Sequence, residues 1–183
     1  MRHRNPVQWL MTDERLGEAL WPALWALPPG SGVVFRHHAT PPATRRALLR
    51  RVERIATARR LVLTVAGGGS GKGGVHGVMP GPRAVFRTAS AHDRRQAIRA
   101  ARAGASVLFV SPVYATRSHP GAAPAGPIAA AHIGRELNVG IVALGGMNAR
   151  RWRRISRLGF DGWAAIDAWL DRSRRQKRKI VPT

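Results

Sequence analysis

The chain has 183 residues, of which 31 are lysine or arginine and 9 are aspartate or glutamate, so its formal net charge is +22. That length suits a single domain that buries a substantial core, and a hydrophobic content of 44 % argues against wholesale disorder. The absence of cysteine excludes a disulfide scaffold and any thiolate metal site or nucleophile. No apolar run approaches the ~18 residues of a membrane helix, and Asp13 and Glu14 interrupt the apolar start before a signal-peptide core forms, so we expect a cytoplasmic protein.

The first half of the chain predicts short apolar strands that alternate with helices. Pro42 lies near the first turn of an amphipathic helix, which is a favourable position for proline. Pro22 lies inside the preceding predicted helix, at 14–27, and is expected to kink or shorten it. In chain order the predicted elements are a strand at 7–11, a helix at 14–27, a strand at 33–36, a helix at 42–59, a strand at 61–65, a glycine-rich loop at 67–74 and a very short strand at 75–76.

The second half continues this alternation. Ser90, three residues before Asp93, predicts a capping-box start for a helix that Gly104 stops, and Asn148 predicts the start of another helix. The predicted elements are a strand at 84–88, a helix at 90–103, a strand at 107–113, a loop at 114–125, a helix at 127–137, a strand at 139–144, a helix at 148–159 and a strand at 163–166.

Eight predicted strands, most of them separated by helices, indicate a parallel sheet. Several strands are uniformly apolar, as in strands that are covered on both faces. Eight units favour an α/β fold of the compact (β/α)8 TIM barrel type with some minimal or missing helices, although the chain is shorter than the ~200 residues usual for such barrels. We expect one barrel domain at 1–170 and a basic, disordered tail at 171–183.

Arginine accounts for 28 of the 31 basic residues. Such an excess is compatible with nucleic-acid binding, because basic side chains contact phosphates. The clusters at 45–60 and 150–157 alternate with apolar positions, however, which predicts the solvent-facing sides of packed helices. The cluster at 172–179 has no interleaved aromatic residue that would stack on bases. Specific nucleic-acid binding is therefore not favoured, and no membrane partner is expected.

Two glycine-rich loops follow predicted strands, where a parallel barrel places its chemistry. The run at 67–74 departs twice from a phosphate loop, with Ala66 at the first glycine position and Gly73 where a Ser or Thr is needed. A flexible loop is the simpler interpretation, from which Lys72 is still able to reach a phosphate. The turn Leu144-Gly-Gly-Met-Asn148 suits either a phosphate or a tight strand–helix connection.

Polar groups follow other strands. The loop after 107–113 carries hydroxyl, guanidinium and imidazole donors, which suit an anion or an ordinary polar loop. Four further histidines are candidate acid–base groups or ligands, but their spacing is not typical of a metal site. They are His37, His38, His76 and His92.

Taken together, these segments resemble the thiamine phosphate synthase family and its tautomerase-like barrels, of which this chain is a divergent relative. The family pattern is Ser-x-His-x-x-x-Glu, Gly-Ala-Asp, Gly-Pro-(Val/Ile)-(Phe/Tyr)-x-Thr-x-Thr-Lys, Gly, and Ala-Ile-Gly-Gly-Ile. The spacings agree over roughly 84–168, whereas the N-terminal half matches weakly. The matching segments are Ser90-Ala-His-Asp-Arg-Arg-Gln-Ala97, Gly104-Ala, Ser111-Pro-Val-Tyr-Ala-Thr-Arg-Ser-His119, Gly126 and Val142-Ala-Leu-Gly-Gly-Met147.

The resemblance implies a transferase that couples a hydroxymethylpyrimidine diphosphate to a thiazole phosphate in thiamine biosynthesis, with release of pyrophosphate and with Mg²⁺ as cofactor. Two residues are the implied catalytic groups: Arg36 grips pyrophosphate, and Ser90 lies near the pyrimidine and the leaving group. The implied residues for binding the small phosphorylated substrates are His38, His92, Thr116, Ser118, His119, Gly126, Gly145 and Gly146.

The chain departs from the family at charged positions. The family's magnesium carboxylates fall at Val65-Ala66 and at Gly81, so no metal ligand is predicted here. Two family lysines are replaced by His38 and His119, and a phosphate-binding serine is replaced by Asp167, whose charge repels phosphate. Basic side chains are candidates to replace part of the charge of the metal. They are Arg36, Lys72, Arg87 and Arg117.

Three functions remain open from the sequence. The first is a synthase of altered or weak activity. The second is a non-catalytic barrel that binds a phosphorylated ligand, and the third is a basic nucleic-acid-binding protein on the same fold. Pro112 stands where the related tautomerases carry a histidine, which argues against that activity.

Overall fold

Eight parallel strands close into a barrel in the computed structural model, which describes residues 5–67, 74–77, 86–116, 121 and 123–169. The predicted (β/α)8 architecture is therefore confirmed. The strands are β1 (Gln8–Met11), β2 (Gly32–Phe35), β3 (Val62–Ala66), β4 (Gly74–His76), β5 (Arg87–Ala91), β6 (Val107–Val110), β7 (Gly140–Leu144) and β8 (Gly162–Ala165).

Helices cover the outside of the barrel unevenly. A 3-10 helix at Glu14–Ala19 leads into α1, and the long α2 connects β2 to β3. The remaining helices lie on the second half of the barrel. The α-helices are α1 (Leu20–Ala26), α2 (Pro42–Ala58), α3 (Arg94–Arg102), α4 (Pro127–Ile133) and α5 (Ala149–Ile155). Within the described ranges, no helix is long and apolar enough to cross a bilayer.

The barrel closes where β1 pairs with both β2 and β8. Trp9 is the centre of this seam, opposite Gly32 on one side and Ala164 on the other. A Cβ atom on Gly32 would lie 2.0 Å from the Trp9 ring, so only glycine leaves room for the indole. Trp9 also packs edge-on against Phe109 of β6, with the ring centroids 5.1 Å apart. A large side chain beside a glycine thus fills the narrow interior at native packing density.

Two predicted boundaries are wrong for identifiable reasons. The strand predicted at 84–88 is β5, which begins at Arg87 and runs through Ser90 to Ala91, while residues 84 and 85 lie outside the described residues. The helix start belongs to Asp93, whose carboxylate accepts a hydrogen bond from the Gln96 N–H at 2.8 Å. Ser90 is therefore a strand residue, and the cap three residues later governs α3.

The first helical segment also breaks elsewhere than predicted. The break falls at Gly17, with φ of 46°, and Pro22 lies inside the first turn of α1. A proline in the first turn costs no hydrogen bond, because that N–H has no partner in the helix. The predicted helix at 127–137 ends at Ile133 and the one at 148–159 ends at Ile155. The predicted tail at 171–183 lies outside the described residues.

Candidate active site

The carboxyl ends of the parallel strands share one mouth, and a cavity of about 170 Å³ opens there. Five residues predicted from the sequence line it: Arg36, His92, Thr116, Gly145 and Gly146. The other lining residues were not predicted as ligands. They are Ser111, Pro112, Leu144, Met147, Ala165, Ile166, Asp167 and Ala168.

Arg36 follows β2 directly and is fixed by the end of β1. Its Nε donates to the carbonyl oxygen of Thr12 at 2.9 Å, and its Nη2 donates to Oδ2 of Asp13 at 3.1 Å. The side chain is 22 % exposed, and burial lowers the pKa of Arg36 although the charge of Asp13 opposes this. A guanidinium stays protonated under such conditions, so Arg36 presents a fixed positive charge to the cavity.

Asp13 is held in its charged form by two arginines. Burial alone raises the pKa of Asp13, but the Arg15 hydrogen bonds and the charges of Arg15 and Arg36 outweigh burial, and the pKa lies below its usual value. The Arg15 Nε approaches Asp13 Oδ1 at 2.7 Å. Sequence reasoning missed this carboxylate as a partner of Arg36. The available signal was its position two residues after the end of β1.

His37 supports Arg36 from behind. Its backbone has φ of 40°, its side chain is buried, and its ring stacks on Phe35 with centroids 4.7 Å apart. The Nδ1 atom lies 3.0 Å from Oγ1 of Thr12, which in turn accepts the Arg36 backbone N–H at 3.0 Å. Burial lowers the pKa of His37, against the opposing charge of Glu14. A neutral His37 therefore fixes the turn after β2.

Arg45 reaches back from α2 to the same turn. Its Nη2 donates to the carbonyl oxygens of Ala66, at 2.6 Å, and Arg36, at 3.2 Å, while its Nε donates to that of His37 at 3.2 Å. The guanidinium also lies over the Phe35 ring, 5.1 Å from its centroid. The sequence pattern placed Arg45 on the solvent-facing side of the helix. The structure corrects this: Arg45 joins the ends of β2 and β3.

Ser90 and His76 lie together inside the mouth. The Ser90 Oγ is 3.5 Å from His76 Nε2, and Nδ1 of the same ring is 2.9 Å from Oγ1 of Thr88. Burial, helped by the charges of Arg36 and His38, lowers the pKa of His76 to about 4. His76 is therefore neutral near pH 7 and pairs with the hydroxyl groups on either side of its ring. Neither Ser90 nor His76 lines the cavity described above.

His92 and His38 differ in how firmly they are held. The Nδ1 of His92 lies 2.8 Å from the carbonyl oxygen of Ser111, which only accepts, so Nδ1 carries a proton and donates it to that oxygen. His38 is exposed after β2. A Cβ atom on Gly67 would lie 3.8 Å from the His38 Nδ1, which places this ring beside the end of β3.

Gly145 and Gly146 hold the loop after β7 against the loop after β6. Their φ angles are 96° and 60°. The pairing of the two strands continues into the loops, since the Val113 N–H donates to Leu144 and the Tyr114 N–H donates to Gly145. A Cβ atom on Gly146 would lie 2.5 Å from the carbonyl oxygen of Ala115. The glycines thus form the tight turn predicted for this motif and also line the cavity, while phosphate binding there stays a prediction.

The remaining predicted residues are only partly described. Gly126 precedes α4 with φ of 77° and is not among the residues that line the cavity. Its neighbour Ala125 donates its N–H to the Pro112 carbonyl at 3.0 Å, which keeps the start of α4 close to the mouth. Ser118 and His119 lie outside the described residues, as do Lys72, Gly81 and Arg117. Arg87 begins β5, at the amino end of that strand, and so lies away from the mouth.

The described residues do not fit a magnesium site of the kind that the resemblance implies. The end of β3 presents the side chains of Val65 and Ala66, both buried and apolar. Throughout the described ranges, no three His, Asp or Glu side chains lie close enough to share a metal ion. Asp13 is engaged by arginine, and Glu14 accepts the Ala39 N–H at 2.8 Å. Magnesium prefers carboxylate oxygens, and among the described residues the end of β3 supplies none, while Asp13 and Glu14 are held by other partners.

Comparison with known proteins finds matches to the second half of the chain. The family model described as thiamine monophosphate synthase matches residues 84–169. A thiamine-phosphate synthase of Chloroflexus aurantiacus is 39 % identical over 80 residues, which are 43 % of this chain and 37 % of that protein. A putative thiamine-phosphate synthase 2 of Aquifex aeolicus is 32 % identical over 82 residues, 45 % of this chain and 44 % of that protein. The matches thus span about two fifths of these relatives.

The fold comparison extends over nearly the whole chain. The thiamine phosphate pyrophosphorylase of Pyrococcus furiosus superimposes with a TM-score of 0.74 over 98 % of this chain and 99 % of its own. The two sequences are 19 % identical, so the superposition shows a shared barrel fold.

Proposed function

Because residues 84–169 match the model of the thiamine monophosphate synthase family, we propose that the chain is a transferase that joins a hydroxymethylpyrimidine diphosphate to a thiazole phosphate. In this reaction the bond between the pyrimidine methylene carbon and the diphosphate oxygen breaks. A new bond forms from that carbon to the thiazole nitrogen, and pyrophosphate leaves. The task of the protein is then to hold both partners in line and to stabilise the departing charge.

One observation carries the proposal. Arg36, His92, Thr116, Gly145 and Gly146 come from four separate connections, after β2, β5, β6 and β7, and all line one cavity at the carboxyl end of the barrel. Active sites of parallel barrels lie at this end. Residues so distant in sequence share a cavity only through the fold, so their convergence supports a common ligand.

Different groups at the mouth bind the two substrates. Arg36 supplies a fixed positive charge for the diphosphate and for the pyrophosphate that leaves. Ser90 and the neutral His76 offer hydroxyl and imidazole groups to the pyrimidine. The cavity-lining backbone at Gly145 and Gly146 and the hydroxyl of Thr116 bind the phosphate of the thiazole.

The direct test mixes the purified chain with the pyrimidine diphosphate and the thiazole phosphate, with magnesium in one series and EDTA in the other, and detects thiamine phosphate by mass. Product in either series, absent from reactions without protein, supports the proposal. Saturable binding of the thiazole phosphate without product would show a barrel that binds a phosphorylated ligand and does not turn it over. Neither product nor binding would overturn the proposed function.

A further inference from the structure

The stretch that supplies β3, β4 and β5 contains no carboxylate. From residue 54 to residue 92 the sequence has neither aspartate nor glutamate. Three adjacent strand ends of the mouth, and every connection between them, come from this stretch. The chain therefore offers a divalent cation no carboxylate along this third of the barrel, although carboxylate oxygens are the protein ligands that magnesium prefers.

Arg45 places the positive charge of its own side chain at the end of β3. Three carbonyl oxygens, those of Arg36, His37 and Ala66, converge on its guanidinium at 2.6 to 3.2 Å. Converging carbonyl oxygens stabilise a cation, and here the cation is a side chain. Because all three acceptors are neutral, these contacts leave the positive charge of Arg45 uncancelled.

The charge of Arg45 stands directly behind that of Arg36. Arg45 binds the carbonyl oxygen of Arg36, while the Arg36 side chain lines the cavity. Asp13 offsets part of the charge of Arg36, with its carboxylate 3.1 Å from Nη2. The guanidinium of Arg45, which binds this turn from α2, restores a net positive field beside the stretch that lacks carboxylates.

We infer that Arg45 supplies at the ends of β2 and β3 the positive charge that a divalent cation provides in the resembled family, so that this chain binds diphosphate groups without a metal. The inference rests on the proposed function for the identity of the diphosphate ligand. Arg45 acts through the electrostatic field and through the backbone of Arg36, and is therefore a positioning residue. The sequence candidates Lys72 and Arg117 are not required for this role.

The first experiment titrates inorganic pyrophosphate into the full chain by calorimetry, once in EDTA and once in excess magnesium. Saturable binding in EDTA that magnesium does not strengthen is the expected result. Binding only in magnesium would overturn the inference, and the proposed function would stand if product also formed in magnesium. Absence of binding in both conditions, together with absence of product, would overturn the proposed function and the inference with it.

The second experiment separates the charge of Arg45 from its contacts by means of two substitutions, Arg45→Lys and Arg45→Gln. Both lose the forked contacts with the carbonyl oxygens, but only lysine keeps the charge. In EDTA, pyrophosphate affinity should stay within about twofold of wild type in Arg45→Lys and fall about tenfold in Arg45→Gln, the size of one favourable charge interaction.

The control is Arg46→Gln, which removes the same formal charge from the exposed neighbour on α2 and should leave the affinity within about twofold of wild type. Equal weakening in Arg45→Lys and Arg45→Gln would show that Arg45 is only a structural clamp and would overturn the role of its charge. Urea unfolding of each variant checks folding. If Arg45→Gln does not fold, Arg45→Lys and the titration in EDTA carry the test.

Discussion

The two sides of the barrel mouth approach the ligand cavity in different ways. On the side of β6 and β7 the chain presents backbone, because Gly145 and Gly146 turn with positive φ and pair with the loop after β6. On the side of β1 and β2 it presents a side chain, Arg36, fixed by the carbonyl oxygen of Thr12 and by Asp13. Both sides face the same cavity, but only the first lies within the segment that the family model matches.

This difference explains why a sequence motif identifies the β6–β7 side of the mouth and not the β1–β2 side. A backbone site depends on φ and on free space, and a few adjacent glycines encode both. A side-chain site depends on partners that other strands and helices supply. On the β1–β2 side, Asp13 binds the guanidinium of Arg36 and Arg45 binds its carbonyl oxygen, and no local sequence motif predicts these contacts.

The largest effect is expected from Arg36→Ala, which removes the charged group of the β1–β2 side and leaves Asp13 without this partner. If the chain is a synthase, kcat/KM should fall by about 100-fold or more, the usual loss when a preorganised electrostatic group is removed. Steady-state kinetics on thiamine phosphate formation would measure it. Arg50→Ala, on the exposed face of α2, is the control and should keep wild-type turnover. Retained activity in Arg36→Ala would show that the β1–β2 side is not the diphosphate site.

The backbone side is tested by Gly146→Ala. Its φ of 60° disfavours a side chain, and the new Cβ atom would lie 2.5 Å from the Ala115 carbonyl oxygen, so the loop must shift. We expect the free energy of unfolding in urea to fall by about 3 kcal/mol, from backbone strain and overpacking together. Gly159→Ala is the matched control, with φ of 94° and open space around the Cβ position. It should lose only about 1–2 kcal/mol. Equal losses would mean that contact with the β6 loop adds nothing.

Most of the fold followed from the sequence, because strand and helix periodicity and the Asn148 cap are local signals. The structure confirms that cap, with the Asn148 side chain accepting the Arg151 N–H at 2.9 Å. The prediction failed where two local signals competed. Ser90 resembled a cap, yet the sheet extends β5 through it, and Asp93 provides the cap instead.

The candidate site was predictable only in part. The loop glycines and His92 were identified from motifs, and the cavity contains them. The turn after β2 was not predictable in the same way, since Arg45 belongs to an amphipathic helix whose pattern points it to solvent. Its actual partners are the backbone carbonyl oxygens of two strand ends, which carry no sequence signature. When the partners of a side chain are backbone atoms, the residue types in the sequence do not identify those partners.

His76, at the end of β4 between these two sides, makes the stability of the fold depend on pH. Burial lowers its pKa to about 4 from an ordinary value of 6.5. Between these two values the unfolded chain binds the proton and the folded chain does not, so the free energy of unfolding falls as the pH falls through that window. The loss between pH 7 and pH 4 should be about 3 kcal/mol, measured by urea unfolding.

Substitution of the histidine isolates this contribution. His76→Asn should flatten the fall in stability between pH 6.5 and 4, leaving a smaller slope to which His37 contributes, because burial lowers the pKa of that ring as well. His132→Asn, at an exposed position on α4, serves as the control and should reproduce the wild-type profile. An unchanged slope in His76→Asn would place the buried proton-linked group elsewhere.

The smallest effect is expected at Asp167, whose negative charge opposes the phosphate that we propose to bind at Gly145 and Gly146. This carboxylate lines the cavity after β8. The hydrogen bond with Asp13 raises the pKa of Arg15, and the charge of Asp167 adds to this rise. Asp167→Asn keeps the shape and removes the negative charge, so thiazole phosphate should bind about fivefold more tightly, or roughly 1 kcal/mol. Calorimetry at low and high salt would measure it, and the gain should shrink with salt. Asp161→Asn, whose carboxylate binds the Ile141 N–H away from the cavity, is the control. Weaker binding in Asp167→Asn would mean that the carboxylate orders Arg15 for the ligand, and the backbone side would then also depend on a charged pair.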